Sequence, residues 1–121
     1  MAGRQVLDRI VRGPMLDGWH ERATCRGKPS EWWYSEQTRH GDVPPNMRKA
    51  LALCYTCPVR VSCAEHAMFY PERYGVWGGT TQAQRRRVTK MDLRPIDALR
   101  VVLDVADELG ARLGLIVRRM P

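Results

Sequence analysis

Four cysteines, Cys25, Cys54, Cys57 and Cys63, carry the most distinctive chemistry in this chain, and there are no others. The last three stand in the block Cys-Tyr-Thr-Cys-Pro-Val-Arg-Val-Ser-Cys, a C-x2-C-x5-C spacing, and Cys25 lies 28 intervening residues upstream. Four thiolates with one C-x2-C pair complete a site for Zn²⁺ or for an iron–sulfur cluster. The same Cys54–Cys57 pair also fits a thiol–disulfide centre, but no βαβ pattern surrounds it and Cys25 and Cys63 would then have no role. His66, three residues after Cys63, reads as a surface or supporting residue because four cysteines already fill the ligand set. His20 and His40 have no cysteine at comparably short spacing.

The elements that must position these sulfurs follow from the pattern around them. Pro44-Pro45 opens a helix, since proline is tolerated in the first turn. Met47, Ala50, Leu51 and Cys54 then fall at i, i+3, i+4 and i+7, which puts Cys54 on the buried face at the helix end. Cys57 precedes Pro58 and is expected at the cap of a second helix over about 58–70, ended by Pro71. A thiolate there would be stabilised by the unpaired N–H groups of the helix start. Cys63 lies about 9 Å further along that helix, and helical side chains lean back towards the N-terminus. Three sulfurs thus surround one helix–turn–helix, and Cys25 closes the set from a separate segment.

Cys25 itself opens a loop, Arg26-Gly27-Lys28-Pro29-Ser30, rich in breakers. Three consecutive aromatics follow, Trp32-Trp33-Tyr34. At least one caps the core, but three in a row cannot all point inward, so part of this stretch is expected as an exposed protein-binding patch beside the metal site. Residues 35–43 read as a polar loop.

Twelve residues after Cys63 comes Gly75-Val76-Trp77-Gly78-Gly79. Three glycines in five residues imply positive φ or close backbone approach, with Trp77 either plugging the core or projecting as an anchor. Thr80 and Thr81 can cap a helix running through Lys90. That helix holds four cations in six residues: Arg85, Arg86, Arg87 and Lys90. A solvated face is the plain reading of such a run, and its clustering favours phosphate contact. Pro95 starts a last helical segment with an apolar stripe of Ile96, Leu99, Val102, Leu103, Ala106 and Leu109. Gly110 is a candidate end. The stripe packs on the core or pairs with a partner helix.

With 121 residues the chain makes one small domain with a thin core, which a metal site would help to stabilise. Residues 1–14 form a basic arm with Arg4, Arg9 and Arg12. A net charge of +7 and a pI near 9.7 point to an acidic partner, nucleic acid first. No signal-peptide core and no membrane-length apolar run is present, so a cytoplasmic location is expected, where thiols are metal ligands more often than disulfides. No strand pattern, carboxylate pair, Ser-His arrangement or phosphate loop appears, so no further enzymatic route is offered.

Taken together, Cys25, the C-x2-C-x5-C block, Gly-Val-Trp-Gly-Gly and the following basic helix resemble the WhiB-like family of actinobacteria and their phages, over about residues 15–90. The resemblance implies a non-enzymatic transcriptional regulator. Its expected fold is all-α, four to five short helices knitted by a four-cysteine cluster (15–92), with a C-terminal amphipathic helical tail (93–121). It implies that Cys25, Cys54, Cys57 and Cys63 hold a [4Fe–4S] cluster responsive to oxygen or nitric oxide. It implies contact with region 4 of the primary sigma factor of RNA polymerase. The surface expected for that contact comprises Trp32, Trp33, Tyr34, Gly75, Val76, Trp77, Gly78 and Gly79. It implies DNA contact through Arg85, Arg86, Arg87 and Lys90, and neither a membrane nor a small-molecule substrate. The chain departs from the family in having Pro29-Ser30-Glu31-Trp32-Trp33-Tyr34 where many members carry an acidic, Phe-containing stretch. The tail beyond about residue 92 is not a family hallmark. A structural Zn²⁺ module that binds nucleic acid is the alternative that cysteine spacing alone favours.

Overall fold

Residues 22–34, 41–70 and 74–116 are described by a computed structural model. The basic arm, His20, His40 and Pro71 lie outside the described residues. Among those described, a 3-10 turn at Ser30–Trp32 precedes four α-helices: α1 (Pro45–Cys54), α2 (Arg60–Phe69), α3 (Gln82–Thr89) and α4 (Pro95–Arg112). The fold is all-α, as expected. Among the described residues the one β-type contact is an isolated bridge pairing Trp77 with Thr80 across the glycine turn. No described helix is long and apolar enough to cross a membrane.

Helix α1 begins as its sequence dictates, with Pro44 at the cap and Pro45 in the first turn. Its inner face is Met47, Ala50, Leu51 and Cys54, all buried. Helix α2 starts later than the spacing suggests. Pro58 and the β-branched Val59 form a tight turn, Val59 takes the cap position, and the helix proper begins at Arg60. Cys57 therefore lies in the interhelical turn rather than at the cap. Its N–H donates to the Cys54 carbonyl (3.1 Å) and its carbonyl accepts from Arg60 (3.2 Å).

Helix α3 carries a full capping box. The Thr81 side chain accepts from the Gln84 N–H, and the Gln84 side chain accepts from the Thr81 N–H. Helix α4 passes Gly110 and ends two residues later. The left-handed residue that terminates it is Gly114 (φ 73°), and Leu115 returns a bond to the Gly110 carbonyl at 2.8 Å. Gly110 is instead a contact point, since a Cβ there would press into the Tyr55 ring.

Two apolar clusters form the core. One joins Trp33, Met47, Ala50, Leu51, Cys54, Val76 and Leu109. The other joins Ala64, Met68, Val88, Ala98, Leu99 and Val102. Helix α4 contributes to both, so the expected tail is packed onto the core along its stripe. Ile96 is the exception, half exposed at the helix start. Arg48 of α1 donates to the Leu113 carbonyl (3.1 Å), tying the end of α4 back to the start of the fold.

Candidate metal centre

All four cysteines line a single cavity of about 420 Å³, together with Trp33, Arg60, Val76, Trp77 and Gly78. Each sulfur arrives by a different route. Cys54 comes from the last turn of α1, Cys57 from the turn, Cys63 from the first turn of α2, and Cys25 from an exposed loop. That loop is shaped by local turns, with Arg26 donating to Ala23 (3.1 Å) and Lys28 to Cys25 (3.0 Å). The Thr24 N–H reaches the Cys57 sulfur at 3.4 Å and brings the loop to the cavity. Among the described residues, no three His, Cys, Asp or Glu side chains converge as ligands of one metal ion would.

Trp33 is the inward member of the aromatic run. Its indole N–H donates to the Cys54 sulfur at 3.3 Å, and its carbonyl accepts from the Val76 N–H at 2.6 Å. Trp32 is half buried, stacked on Trp33 and covered by Lys49. Tyr34 is exposed and stacks on Tyr74, ring centroids 6.0 Å apart.

The glycine turn sits over the same cavity because no side chain could. At Gly78 (φ 58°) a Cβ would overlap the Arg60 carbonyl and the Ala64 N–H group of α2. At Gly75 (φ 86°) it would overlap the Trp33 carbonyl. The backbone N–H groups of Gly79 and Gly78 face the Cys54 and Cys63 sulfurs and favour their ionised forms. Burial acts the other way and dominates: it pushes the Cys54 and Cys63 thiols up, and Cys25 less deeply set is pushed up by burial and by the neighbouring Cys57 charge. Burial in apolar surroundings disfavours the ionised form and makes these thiols poor nucleophiles.

The expected partner surface is therefore smaller than the sequence suggests. Trp33, Gly75, Val76, Gly78 and Gly79 are buried within this chain, and Trp33, Val76 and Gly78 line the cavity. Tyr34, Tyr74, part of Trp32 and the half-exposed Trp77 remain at the surface. The Trp77 indole N–H donates to Tyr74 (2.7 Å) and its ring lies against His66, which also stacks on Tyr70. His66 thus supports the aromatic surface.

The basic helix is corrected in one residue. Arg85 is buried, and its guanidinium donates to the Thr80 carbonyl (2.7 Å), the Thr80 hydroxyl (2.9 Å) and the Gly75 carbonyl (2.6 Å). It braces both ends of the glycine turn and is not placed to meet a phosphate. Its position one turn from Val88, on the inner face, is the signal that separates it from its neighbours. Arg86, Arg87 and Lys90 are exposed.

A family model described as "Transcription factor WhiB" matches residues 19–88. The chain belongs to the WhiB family. It is 37% identical over 73 residues to the transcriptional regulator WhiB of Streptomyces coelicolor, covering 60% of this chain and 77% of that protein. It is 35% identical to the transcriptional regulator WhiB2 of Mycolicibacterium smegmatis, covering 61% of this chain and 53% of that one. It is 32% identical to the redox-responsive transcriptional regulator WhiB3 of the same organism, covering 68% and 88%. No solved structure matches the chain. The family match takes in all four cysteines and the glycine turn and stops at Val88, before α4.

Proposed function

We propose that this chain is a transcriptional regulator that holds a [4Fe–4S] cluster on Cys25, Cys54, Cys57 and Cys63 and works against region 4 of the primary sigma factor and DNA. The observation that carries the reading is the gathering of all four cysteines around one cavity, beneath the glycine turn of a WhiB-family chain. The donor set is all thiol, which suits zinc or an iron–sulfur cluster. The four sulfurs ring a cavity of about 420 Å³, with room for a polynuclear cluster. Such a cluster supplies iron that reacts with oxygen or nitric oxide.

The chain's own residues do the rest. Trp33 donates to the Cys54 sulfur, the Gly79 and Gly78 amides face Cys54 and Cys63, and the Cys25 loop closes the site from one side. Release of Cys25 frees the loop that leads into Trp32 and Tyr34, so the state of the site is passed to the aromatic surface. That surface, with Tyr34, Tyr74 and Trp77, is the sigma-facing side in this reading. Arg86, Arg87 and Lys90 are the phosphate-facing side.

Purification without air, alone and with sigma region 4, tests this directly through iron, sulfide and zinc content and the visible spectrum. About four irons per chain and a spectrum bleached by air or nitric oxide are expected. A colourless protein with one zinc would overturn the cluster and leave a structural nucleic-acid-binding module. Trp77→Ala should weaken sigma binding about tenfold or more with iron content unchanged, as for an aromatic anchor. Replacing Arg86 and Arg87 by Gln should lower the slope of log K against log salt by roughly two for DNA. A slope equal to wild type would remove these two residues from the DNA surface.

A further inference from the structure

Helix α4 lies beyond the residues that match the family, yet it reaches the cysteine cavity through one side chain. Arg60, in the first turn of α2, lines the cavity. Its Nε donates to the Gly78 carbonyl at 3.0 Å. Its terminal nitrogen forms an ion pair with Asp107 of α4 at 2.6 Å, a charge contact rather than a well-directed hydrogen bond. The guanidinium lies over the Tyr55 ring, 5.0 Å from its centroid, and the Tyr55 hydroxyl donates to the Ala106 carbonyl of α4 at 3.0 Å. A Cβ on Gly79 (φ 77°) would lie 3.1 Å from both Arg60 Nε and the Tyr55 ring, in a backbone conformation that favours glycine.

The Gly78 carbonyl and the Gly79 N–H belong to one peptide group and, in a trans peptide, point in opposite directions. The carbonyl end is held by Arg60, and the N–H end faces the Cys54 sulfur. A cation on the carbonyl polarises the peptide and strengthens its N–H as a donor.

We propose that Arg60 and Asp107 are positioning residues for the cysteine site: from helix α4 they fix and polarise the Gly78–Gly79 peptide against Cys54 and so set the reactivity of whatever the cysteines hold. This rests on the cluster reading for the last step only. Hydrogen bonds to ligand sulfurs and exclusion of solvent are what tune an iron–sulfur centre. Helix α4, beyond the residues that match the family model, thus supplies a second support that adjusts the site without touching a cysteine.

The test is hydrogen exchange at the Gly79 amide, read as a ratio to core amides of α4, in the full chain as purified, with iron content and the rate of bleaching in air measured on the same samples. Arg60→Gln should raise the ratio about tenfold, as for one lost charge-assisted hydrogen bond. Asp107→Asn should act in the same direction by less. Asp104→Asn, on the exposed side of α4, should leave it at wild type. Val102→Ala loosens the second apolar cluster and should speed the core amides together, leaving the ratio alone. Bleaching should follow the order of the ratios. A wild-type ratio in both Arg60→Gln and Asp107→Asn overturns the proposal, and Asp107→Asn alone decides it if Arg60→Gln fails to fold. A raised ratio with unchanged bleaching overturns the control of reactivity. Absence of iron in the wild type would sink the cluster reading instead, and the amide ratio would still decide the positioning role.

Discussion

The two sides of the cysteine cavity are built by opposite means. Cys54, Cys57 and Cys63 sit on a helix–turn–helix whose backbone hydrogen bonds are made within α1, the turn and α2. The glycine turn roofs them, itself braced by Arg85 and Arg60. Cys25 sits on an exposed loop whose described residues from 22 to 32 include none that is buried. That loop is fastened through Trp33, whose indole meets Cys54 and whose carbonyl meets Val76. Three of the cysteines thus belong to the helical fold, and the fourth belongs to an exposed arm tied back through Trp33 and through the Thr24 contact to Cys57. If the four cysteines hold the proposed cluster, this arrangement would release Cys25 first. Departure of the arm would leave the hydrogen bonds of the helix–turn–helix in place, which is what a site needs if its state is to change a surface without unfolding the domain.

Breaking the Trp33 tie should therefore have the largest effect. Trp33→Ala removes a buried indole from the first apolar cluster and should cost about 3–5 kcal/mol, measured by urea unfolding. Trp33→Phe keeps most of the packing and loses the donor to Cys54, and should cost about 1 kcal/mol. If the two variants were equally damaging, the indole–sulfur contact rather than the packing would be the fastening. If neither were damaging, the arm would be held elsewhere and the comparison would fail.

What the sequence disclosed follows the same division. The inner face of α1 and the burial of Cys54 were legible because apolar period and helix period coincide over four residues. The cap at Thr81 was legible because its chemistry is local. The end of α4 was not, because Gly110 and Gly114 look alike until Tyr55 is known to cover the first. Arg85 was hidden in a run of three identical cations, where only the position of Val88 tells inside from outside. Among Trp32, Trp33 and Tyr34 nothing local says which turns inward. Arg60 and Asp107 meet from two helices that the pattern reads separately, so no spacing rule pairs them. Cysteine type and spacing pointed to the four residues that line the cavity, and the packing around them had to be seen.

The hairpin side carries a cost that can be read by pH. Glu65 of α2 is buried, and burial pushes its carboxyl up from the usual 4.5 to about 7. The unfolded chain releases this proton first, so the favourable contribution is complete below pH 4.5 and is lost as pH rises to about 7. The total change is at most about 3 kcal/mol. Glu65→Gln cannot ionise and should flatten this part of the profile. Urea midpoints at pH 5 and pH 8 should fall further apart for wild type than for the variant. Equal separations would mean that Glu65 is solvated in the folded state, and that the hairpin is less closed than its burial implies.

The smallest effect is expected where the support is most distributed. Thr81 caps α3 directly after the glycine turn, accepting from the Gln84 N–H at 3.2 Å, while Gln84 accepts from the Thr81 N–H at 2.9 Å. Thr81→Ala removes one half of this box and should cost about 1 kcal/mol. The turn itself should hold, since Arg85 still grips Thr80 and Gly75 and Arg60 still grips Gly78. Denaturant unfolding gives the cost, and the bleaching rate of the iron-loaded protein gives the state of the roof. A cost near 1 kcal/mol with an unchanged rate keeps the cap and the roof separate. A much faster rate at the same small cost would show that the turn depends on the cap, and that the roof hangs on a single local fastening.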